Sequence, residues 1–379
     1  MSFYEADHQA FRQSFGDWLD KEVAPHHAQW DAAGIVPREV FVEAGKHGFV
    51  GFEVPDALGG GGVKDFRFNL VVSEELLKRG LVGFGIGIGL HNDIVLPYLL
   101  SLANEEQAQR WLPKMASGET IGAIAMTEPG TGSDLSGIAT TAVRDGDHYV
   151  VNGAKTFITN GINADLVVVA VRTSAEKHKG ISLLVLERGM AGFERGRNLD
   201  KLGQHAQDTA ELSFTDVRVP VANLLGEEGK GFLYLVSNLA QERIGIAVSA
   251  QVMARRALDL TLDYVQQRKA FGSPISSLQV TKHRLAELAT EIDVAQAFVD
   301  QCLREHLDGT LSAVAASKAK YWSTEMLGRV VDGCLQLHGG YGYMTEYPIS
   351  QLYVDARVQR IYGGTTEIMK EIIAKDLGL

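Results

Sequence analysis

The stretch HYVVNGAKTFITNG (148–161) places β-branched and aromatic residues beside two Asn-Gly pairs, Asn152-Gly153 and Asn160-Gly161. Such residues suit a pleated, half-buried surface, and Asn-Gly is a strong turn signal, so the segment reads as strand punctuated by turns. DLVVVAVR (165–172), ISLLVLER (181–188) and ELSFTDVRVP (211–220) repeat that grammar. No long helical pattern alternates with these runs. The expectation is a compact antiparallel β-domain over 121–226, not a doubly wound sheet.

Outward from that block the period changes. Phe11, Phe15, Trp18 and Val23 recur at near-helical spacing, and FVEAGKHGF and SEELLKRG continue the habit, so 1–120 is expected to be a helical domain. After the β-block, Met253, Ala257, Leu260 and Tyr264 form one amphipathic stripe. Leu285, Leu288, Ile292, Ala295, Val299 and Cys302 form a second, longer one. Long amphipathic helices over 227–379 predict a four-helix-bundle domain. The fold class expected is α+β, in the order N-terminal helices, small antiparallel β-domain, C-terminal helical bundle.

The formal net charge of -11 over 379 residues argues against a nucleic-acid or membrane-surface role, though local arginines can still hold an anion. Cys302 and Cys334 are too few for a disulfide framework, and the histidines lack ligand spacing, so no metal is expected. The first residues, MSFYEADHQAFRQSF, carry two acids and no apolar core of a leader, and no run of eighteen apolar residues occurs. The expectation is a cytoplasmic enzyme-sized protein with no membrane span. GGGG at 59–62 lacks a following Lys-Ser/Thr and is read as a loop, not a phosphate-gripping turn.

TEPGTGSD (127–134) follows the apolar run IGAIAM. Its glycines allow close backbone approach and its hydroxyls can hydrogen-bond a ligand. Alone it would read as a β-turn loop. Three further blocks shift the balance: QQRKAFGSPISSLQ (266–279), QLHGGYGY (336–343) and RIYGGTTEIMKEI (360–372). Each mixes Arg or Gln with glycine and an aromatic, on or beside predicted helices.

Together with NGAKTFITNG, these blocks and their domain order resemble the acyl-CoA dehydrogenase family over almost the whole chain. QERIGIAV, QRKAFG, QLHGGYGYMTEYP and YVDARVQRIYGGTTEIMKEIIAK resemble its long-chain branch. The resemblance implies FAD-dependent α,β-dehydrogenation of an acyl-CoA thioester to the trans-2-enoyl-CoA. It implies that Ile124, Met126 and Thr127 line the flavin ring, with Gly132 and Ser133 nearby and Ser133 reaching the pyrophosphate or pantetheine. Phe157, Ile158 and Thr159 would cover the other side; many relatives have Trp where Phe157 stands, so one indole donor is lost. Arg268, Phe271 and Gln279, with Gln336, Leu337, Gly339 and Gly340, resemble the residues a neighbouring subunit lends to the FAD diphosphate and adenine. Thr365, Thr366 and Glu367 would complete the cofactor site. A homo-oligomer, usually a tetramer, and an electron-transfer flavoprotein as acceptor follow from the same resemblance.

Taking a proton from the α-carbon needs a carboxylate. Most of the family carries Glu two residues before the Thr of Y-E-G-T, but here the run is Tyr362-Gly363-Gly364-Thr365. Either catalysis has been lost, or another carboxylate acts. Glu242 stands at the alternative base position of long-chain and isovaleryl-type relatives and is followed by Arg243, which also matches. Burial facing an acyl chamber would raise its pKa while Arg243 opposes the shift. By similarity the Gly363 amide hydrogen-bonds the thioester carbonyl, with Gly363, Gly364, Arg243 and Ser133 toward the substrate, and Gly at 363 is expected to free space. LVGFGIGIGLHND (81–93), with glycines at 83, 85, 87 and 89, is either a cavity for a long or branched acyl tail or a flexible connection. An acyl-carrier-protein thioester in place of CoA, or an oxidase or flavin monooxygenase on the same fold, stays open at this level.

Overall fold

The computed structural model describes residues 3–379. The N-terminal helices are α1 (Ala6–Trp18), α2 (Ala24–Ala33), α3 (Arg38–Lys46), α4 (Arg67–Lys78), α5 (Val82–Gly89), α6 (Leu96–Leu102) and α7 (Glu105–Ala116). Strands follow: β1 (Gly122–Ala125), β2 (Thr141–Asp145), β3 (His148–Thr159), β4 (Leu166–Arg172), β5 (Ile181–Glu187), β6 (Phe193–Asn198), β7 (Thr209–Pro220) and β8 (Leu224–Leu225). The C-terminal helices are α8 (Gly231–Gln267), α9 (Gln279–Leu307), α10 (Ala313–His338), α11 (Pro348–Ala356) and α12 (Thr366–Asp376). The order of helices, small sheet and helical bundle is the one expected. Contacts nonetheless group the chain into two compact units. One holds the residues up to Val72 with Gly83–Lys201 and His205–Asn238; the other holds Ser73–Val82, Leu202–Gln204 and Leu239–Leu379.

In the first unit the sheet runs β6-β7-β3-β2-β4-β5-β8, with β1 beside β4. Most pairs are antiparallel, but β1 and β4 pair in parallel, as do β2 and β4 at one point. β4 is buried along its length because both its faces are covered. Val168 and Ala170 pack with Trp111, Leu112 and Met115 of α7, while Val167, Val169 and Val171 pack with Tyr149, Val151, Leu212 and Phe214. That explains why DLVVVAVR is continuously apolar rather than alternating. Phe15 and Trp18 of α1 lie with ring centroids 4.9 and 5.3 Å from Phe49, which makes the aromatic stripe of the sequence a packed core.

The two Asn-Gly pairs behave differently. Asn160-Gly161 ends β3 in a turn, but Asn152-Gly153 lies inside the strand, at a shift of register against β7. Asn152 spends its amide on Asp216, donating to Oδ1 at 3.0 Å and accepting from the Asp216 amide at 2.9 Å. Gly153 has φ 149°, and a Cβ there would stand 2.5 Å from Thr140 Oγ1. The glycine serves close backbone approach in a bulge, not a hairpin.

The glycine-rich segment also resolves. Val82–Gly89 is helical, and Cβ atoms at Gly83 and Gly87 would meet Ala206 Cβ at 2.6 Å and Gln207 Oε1 at 2.7 Å. At these two positions the missing side chains are filled by close packing and leave no cavity. The helical run Val82–Leu102 is long and apolar enough to cross a membrane by length and composition alone. Its polar residues have partners in the first unit. His91 lies 3.1 Å from the Met115 carbonyl through Nε2 and accepts from the Gly122 amide at Nδ1. Burial lowers its pKa to about 4, so it stays neutral. Asn92 accepts from the Gly51 amide and donates to the Phe49 carbonyl.

In the second unit Leu288, Ile292, Ala295, Val299 and Cys302 form the buried face of α9, as their spacing predicts. Within this unit, α10 packs against α9, α11 and α12. Gly153→Ala should destabilise the protein by about 1–3 kcal/mol, combining a strained φ with the clash at Thr140. Gly146→Ala offers a control, since a Cβ there meets nothing within 4 Å although φ is 61°. Thermal denaturation of both variants measures the excess cost at 153; equal melting temperatures would show that the bulge tolerates a side chain.

Candidate active site

The expected site residues fall into groups that the fold assembles separately. In the first unit Ile124 ends up buried on β1, and the chain leaves that strand through Met126 and Thr127, both half-buried. The loop 127–134 then turns sharply. The Glu128 and Thr131 backbones exchange hydrogen bonds, and Asp134 accepts from the Ser136 amide at 3.1 Å. A Cβ at Gly130 or Gly132 would meet nothing within 4 Å, and Ser133 is exposed. The loop tip is thus open.

Its base is the opposite. Lys155 of β3 is fully buried and donates to the Met126 carbonyl at 3.0 Å and to Glu128 Oε1 at 2.8 Å. Glu128 also accepts from the Ala139 and Thr140 amides at 2.7 and 2.9 Å. Burial works against the carboxylate, but Lys155 and these donors outweigh it and hold Glu128 below the usual range. The Thr156 amide adds a bond to the Thr127 carbonyl at 2.9 Å. Neither Lys155 nor Glu128 stood out in the sequence as a site residue, because a Lys in a strand reads as solvent-facing.

One residue further, β3 shifts register against β7 between Lys155 and Ile158. Phe157 sits in that irregularity with φ 60° and leaves 68% of its surface exposed, while Ile158 is buried and Thr159 half-buried. A left-handed, solvent-facing aromatic is costly and marks a place built to meet something.

In the second unit α8 presents Glu242, 9% exposed, and the buried Arg243. Arg243 donates through Nε to the Gly363 carbonyl and through Nη1 to Ser317 Oγ, both at 3.4 Å. Residues distant in sequence, 243 and 363, are thereby brought together. Gly363 and Gly364 have φ 64° and 93°, conformations natural to glycine. The space at 363 is not free, however. A Cβ there would stand 2.3 Å from Cδ1 of Ile246, one helical turn beyond Glu242. That atom is the far end of a flexible side chain, so Ile246 would have to rotate to admit a side chain at 363, and the left-handed φ of 64° would strain any non-glycine residue there.

Thr365 caps α12 by accepting from the Ile368 amide, Thr366 is buried and donates to Glu325 at 2.8 Å, and Glu367 is exposed. The remaining group lies at one end of the bundle. Arg268 is exposed, 5.4 Å above the Tyr341 ring, and the Tyr264 hydroxyl donates to the His338 carbonyl at 3.1 Å. Gln279 opens α9, and Gln336, Gly339 and Gly340 are exposed beside the half-buried Leu337. Phe271, with φ 54°, is 98% exposed. No group of His, Cys, Asp and Glu among the described residues could hold a metal.

The chain matches the acyl-CoA dehydrogenase N-terminal, middle and C-terminal domains over residues 5–119, 123–217 and 229–378. It belongs to the acyl-CoA dehydrogenase family. It is 48% identical to the mitochondrial long-chain specific acyl-CoA dehydrogenase of Sus scrofa, covering 99% of this chain and 87% of that one. An acyl-CoA dehydrogenase from Geobacillus kaustophilus superposes with a TM-score of 0.97 at 52% identity, each chain covered in full. A glutaryl-CoA dehydrogenase from Mycobacterium smegmatis in complex with FADH2 aligns at TM-score 0.90 and 27% identity, over 99% of this chain and 95% of that one. This acyl-CoA dehydrogenase is therefore an FAD-dependent oxidoreductase that dehydrogenates acyl-CoA thioesters.

Lys155→Met should leave Glu128 buried without its cation and cost about 3–5 kcal/mol. Adding Glu128→Gln should recover part of that loss, a coupling that a double-mutant cycle of denaturation measures. Because Glu128 is held below its ordinary range in the fold, its contribution is present above the unfolded carboxylate pKa and is lost as pH falls through the folded value. Additive losses in the two variants would show that the pair does not act as one unit.

Proposed function

We propose that Glu242 is the base that takes the α-proton and that Gly363 acts through its backbone amide alone. The observation that carries this reading is the convergence of a buried Glu242, its neighbour Arg243 and the Gly363-Gly364 turn, in a chain that lacks a carboxylate at 363. FAD, when bound, supplies the acceptor for the β-hydride. Glu242 holds the α-proton on its carboxylate, and the Gly363 N–H hydrogen-bonds the thioester oxygen as negative charge develops there. A backbone donor needs no side chain, so glycine at 363 sacrifices nothing in this role.

Ile124, Met126, Thr127, Gly132, Ser133, Phe157, Ile158 and Thr159 are assigned to the flavin and its first phosphates. Arg268, Phe271, Gln279, Gln336, Leu337, Gly339 and Gly340 are assigned to the diphosphate and adenine of a neighbouring subunit's FAD. An almost fully exposed Phe271 beside an exposed Arg268 supports contact with another copy, and a homotetramer is the assembly proposed. Thr365, Thr366 and Glu367 close the cofactor set, with Thr366 contributing backbone because its hydroxyl serves Glu325. The long-chain relative supports a long acyl chain, and family membership supports an electron-transfer flavoprotein as acceptor and a role in fatty-acid oxidation; a cytoplasmic setting is proposed from the sequence reading alone.

Glu242→Gln should retain FAD and bind acyl-CoA, yet lose acyl-CoA-dependent flavin bleaching by roughly 10²–10⁴-fold in anaerobic stopped flow. Bleaching at the wild-type rate would place the base elsewhere. Adding Gly363→Glu to Glu242→Gln should restore only part of the rate, because the new residue takes a left-handed φ of 64° and must displace the Ile246 side-chain tip. Trimming Ile246→Ala in the same background should raise that recovery. Separately, Arg268→Ala should weaken FAD retention by about one to two orders of magnitude. Full FAD occupancy in a monomeric preparation would defeat the intersubunit assignment.

A further inference from the structure

The mechanism above leaves one buried charge unused. Lys320 of α10 is fully buried, and its Nζ donates to the Gly364 carbonyl at 2.7 Å. Ser317, one turn earlier on the same helix, accepts from Arg243, which itself donates to the Gly363 carbonyl. Two successive peptide oxygens of one turn are thus each held by a buried cation. Both cations are costly to bury, and neither is needed to close a helix or a sheet.

The turn is where such fixing matters. Gly363 and Gly364 are consecutive left-handed glycines, φ 64° and 93°, the residue type with the most conformational freedom to lose. The Gly363 amide points where the rotation about its own N–Cα bond and the placement of the following peptides put it. An amide that must meet a developing oxyanion at hydrogen-bond distance requires that placement to be settled before substrate arrives. Charge-assisted bonds hold the two peptide planes that follow, which restricts the torsions of the glycine pair and thereby the preceding Tyr362–Gly363 plane that carries the N–H.

We propose that Lys320 is a positioning residue, acting with Arg243 through the Gly364 and Gly363 carbonyls to hold the Gly363 amide in its oxyanion-binding orientation. The inference rests on Gly363 being that donor. Charged groups facing Lys320 are Arg243 from α8, Glu325 on its own helix and Glu367 from α12. Burial, then Arg243, lower the Lys320 pKa to about 8 against the pull of the two glutamates. The ammonium is present below that value, so the clamp is strongest there and weakens as pH rises through it. Tyr362, next to the turn, does not titrate in this range because burial pushes its hydroxyl well above the ordinary tyrosine value.

The test separates positioning from packing. A 3-thia-acyl-CoA has sulfur at the β-position, so it can surrender an α-proton but has no β-hydrogen to transfer. With the holoenzyme in D2O, α-hydrogen exchange into such a thioester, of a chain length the wild type exchanges, reports enolisation alone. Lys320→Met should slow exchange roughly 10–100-fold, below the full effect of deleting an oxyanion donor. The thioester Kd and FAD content should stay within about threefold of wild type. Wild-type exchange should fall as pH rises through about 8, a limb absent from Lys320→Met. Wild-type exchange by Lys320→Met, or slowing only in proportion to lost binding, would overturn the proposal. Should Lys320→Met not fold, Lys320→Gln takes its place, and wild-type exchange by that variant with unchanged thioester Kd and FAD content rejects the clamp. If instead Glu242→Gln exchanges normally, it is the base assignment that fails.

Discussion

A buried ammonium must spend its hydrogen bonds on acceptors within reach, and for Lys155 and Lys320 those acceptors include peptide carbonyls of irregular backbone. Lys155 closes on Met126 and Glu128 at the root of the 127–134 loop, and Lys320 closes on Gly364. Neither segment has the ladder of bonds that holds a helix or strand, so neither could keep one geometry through its own backbone. The charge supplies the rigidity that secondary structure supplies elsewhere. The 127–134 loop can then stay open at the tip, at Gly130 and Gly132, while fixed at the base.

The same economy of space governs position 363. The absence of a carboxylate there is only half of a substitution; Ile246 supplies the other half by reaching into the place a side chain would take. Glu242 and Ile246 are four residues apart on α8 and share a face. One helix face therefore presents a carboxylate and, one turn on, the apolar side-chain tip that lies against residue 363.

The glycine run of α5 teaches a related point. A missing side chain invites the reading of a cavity, but Gly83 and Gly87 are small because Ala206 and Gln207 come close. Asn160, at a left-handed φ of 60°, ties the segment further by donating to the Gly87 and Gly122 carbonyls. Substrate chain length is accordingly not written in those two glycines.

Periodicity by itself determined the order of helices, sheet and bundle, since the α9 face from Leu288 to Cys302 and the strand runs of 165–188 each satisfy a single local period. The blocks around 127, 242, 268, 336 and 363 stood out through their resemblance to a family, and the fold brings two of their residues, Arg243 and Gly363, into contact. What tertiary structure alone decided are the facts that need two distant segments. These include the bulge at Gly153 against Thr140, the outward turn of Phe157, Ile246 against Gly363, and the burial of Lys155 and Lys320. A lysine carries the same side chain in solvent and in a core. Only the carbonyl it meets, set by the path of another part of the chain, tells the two apart.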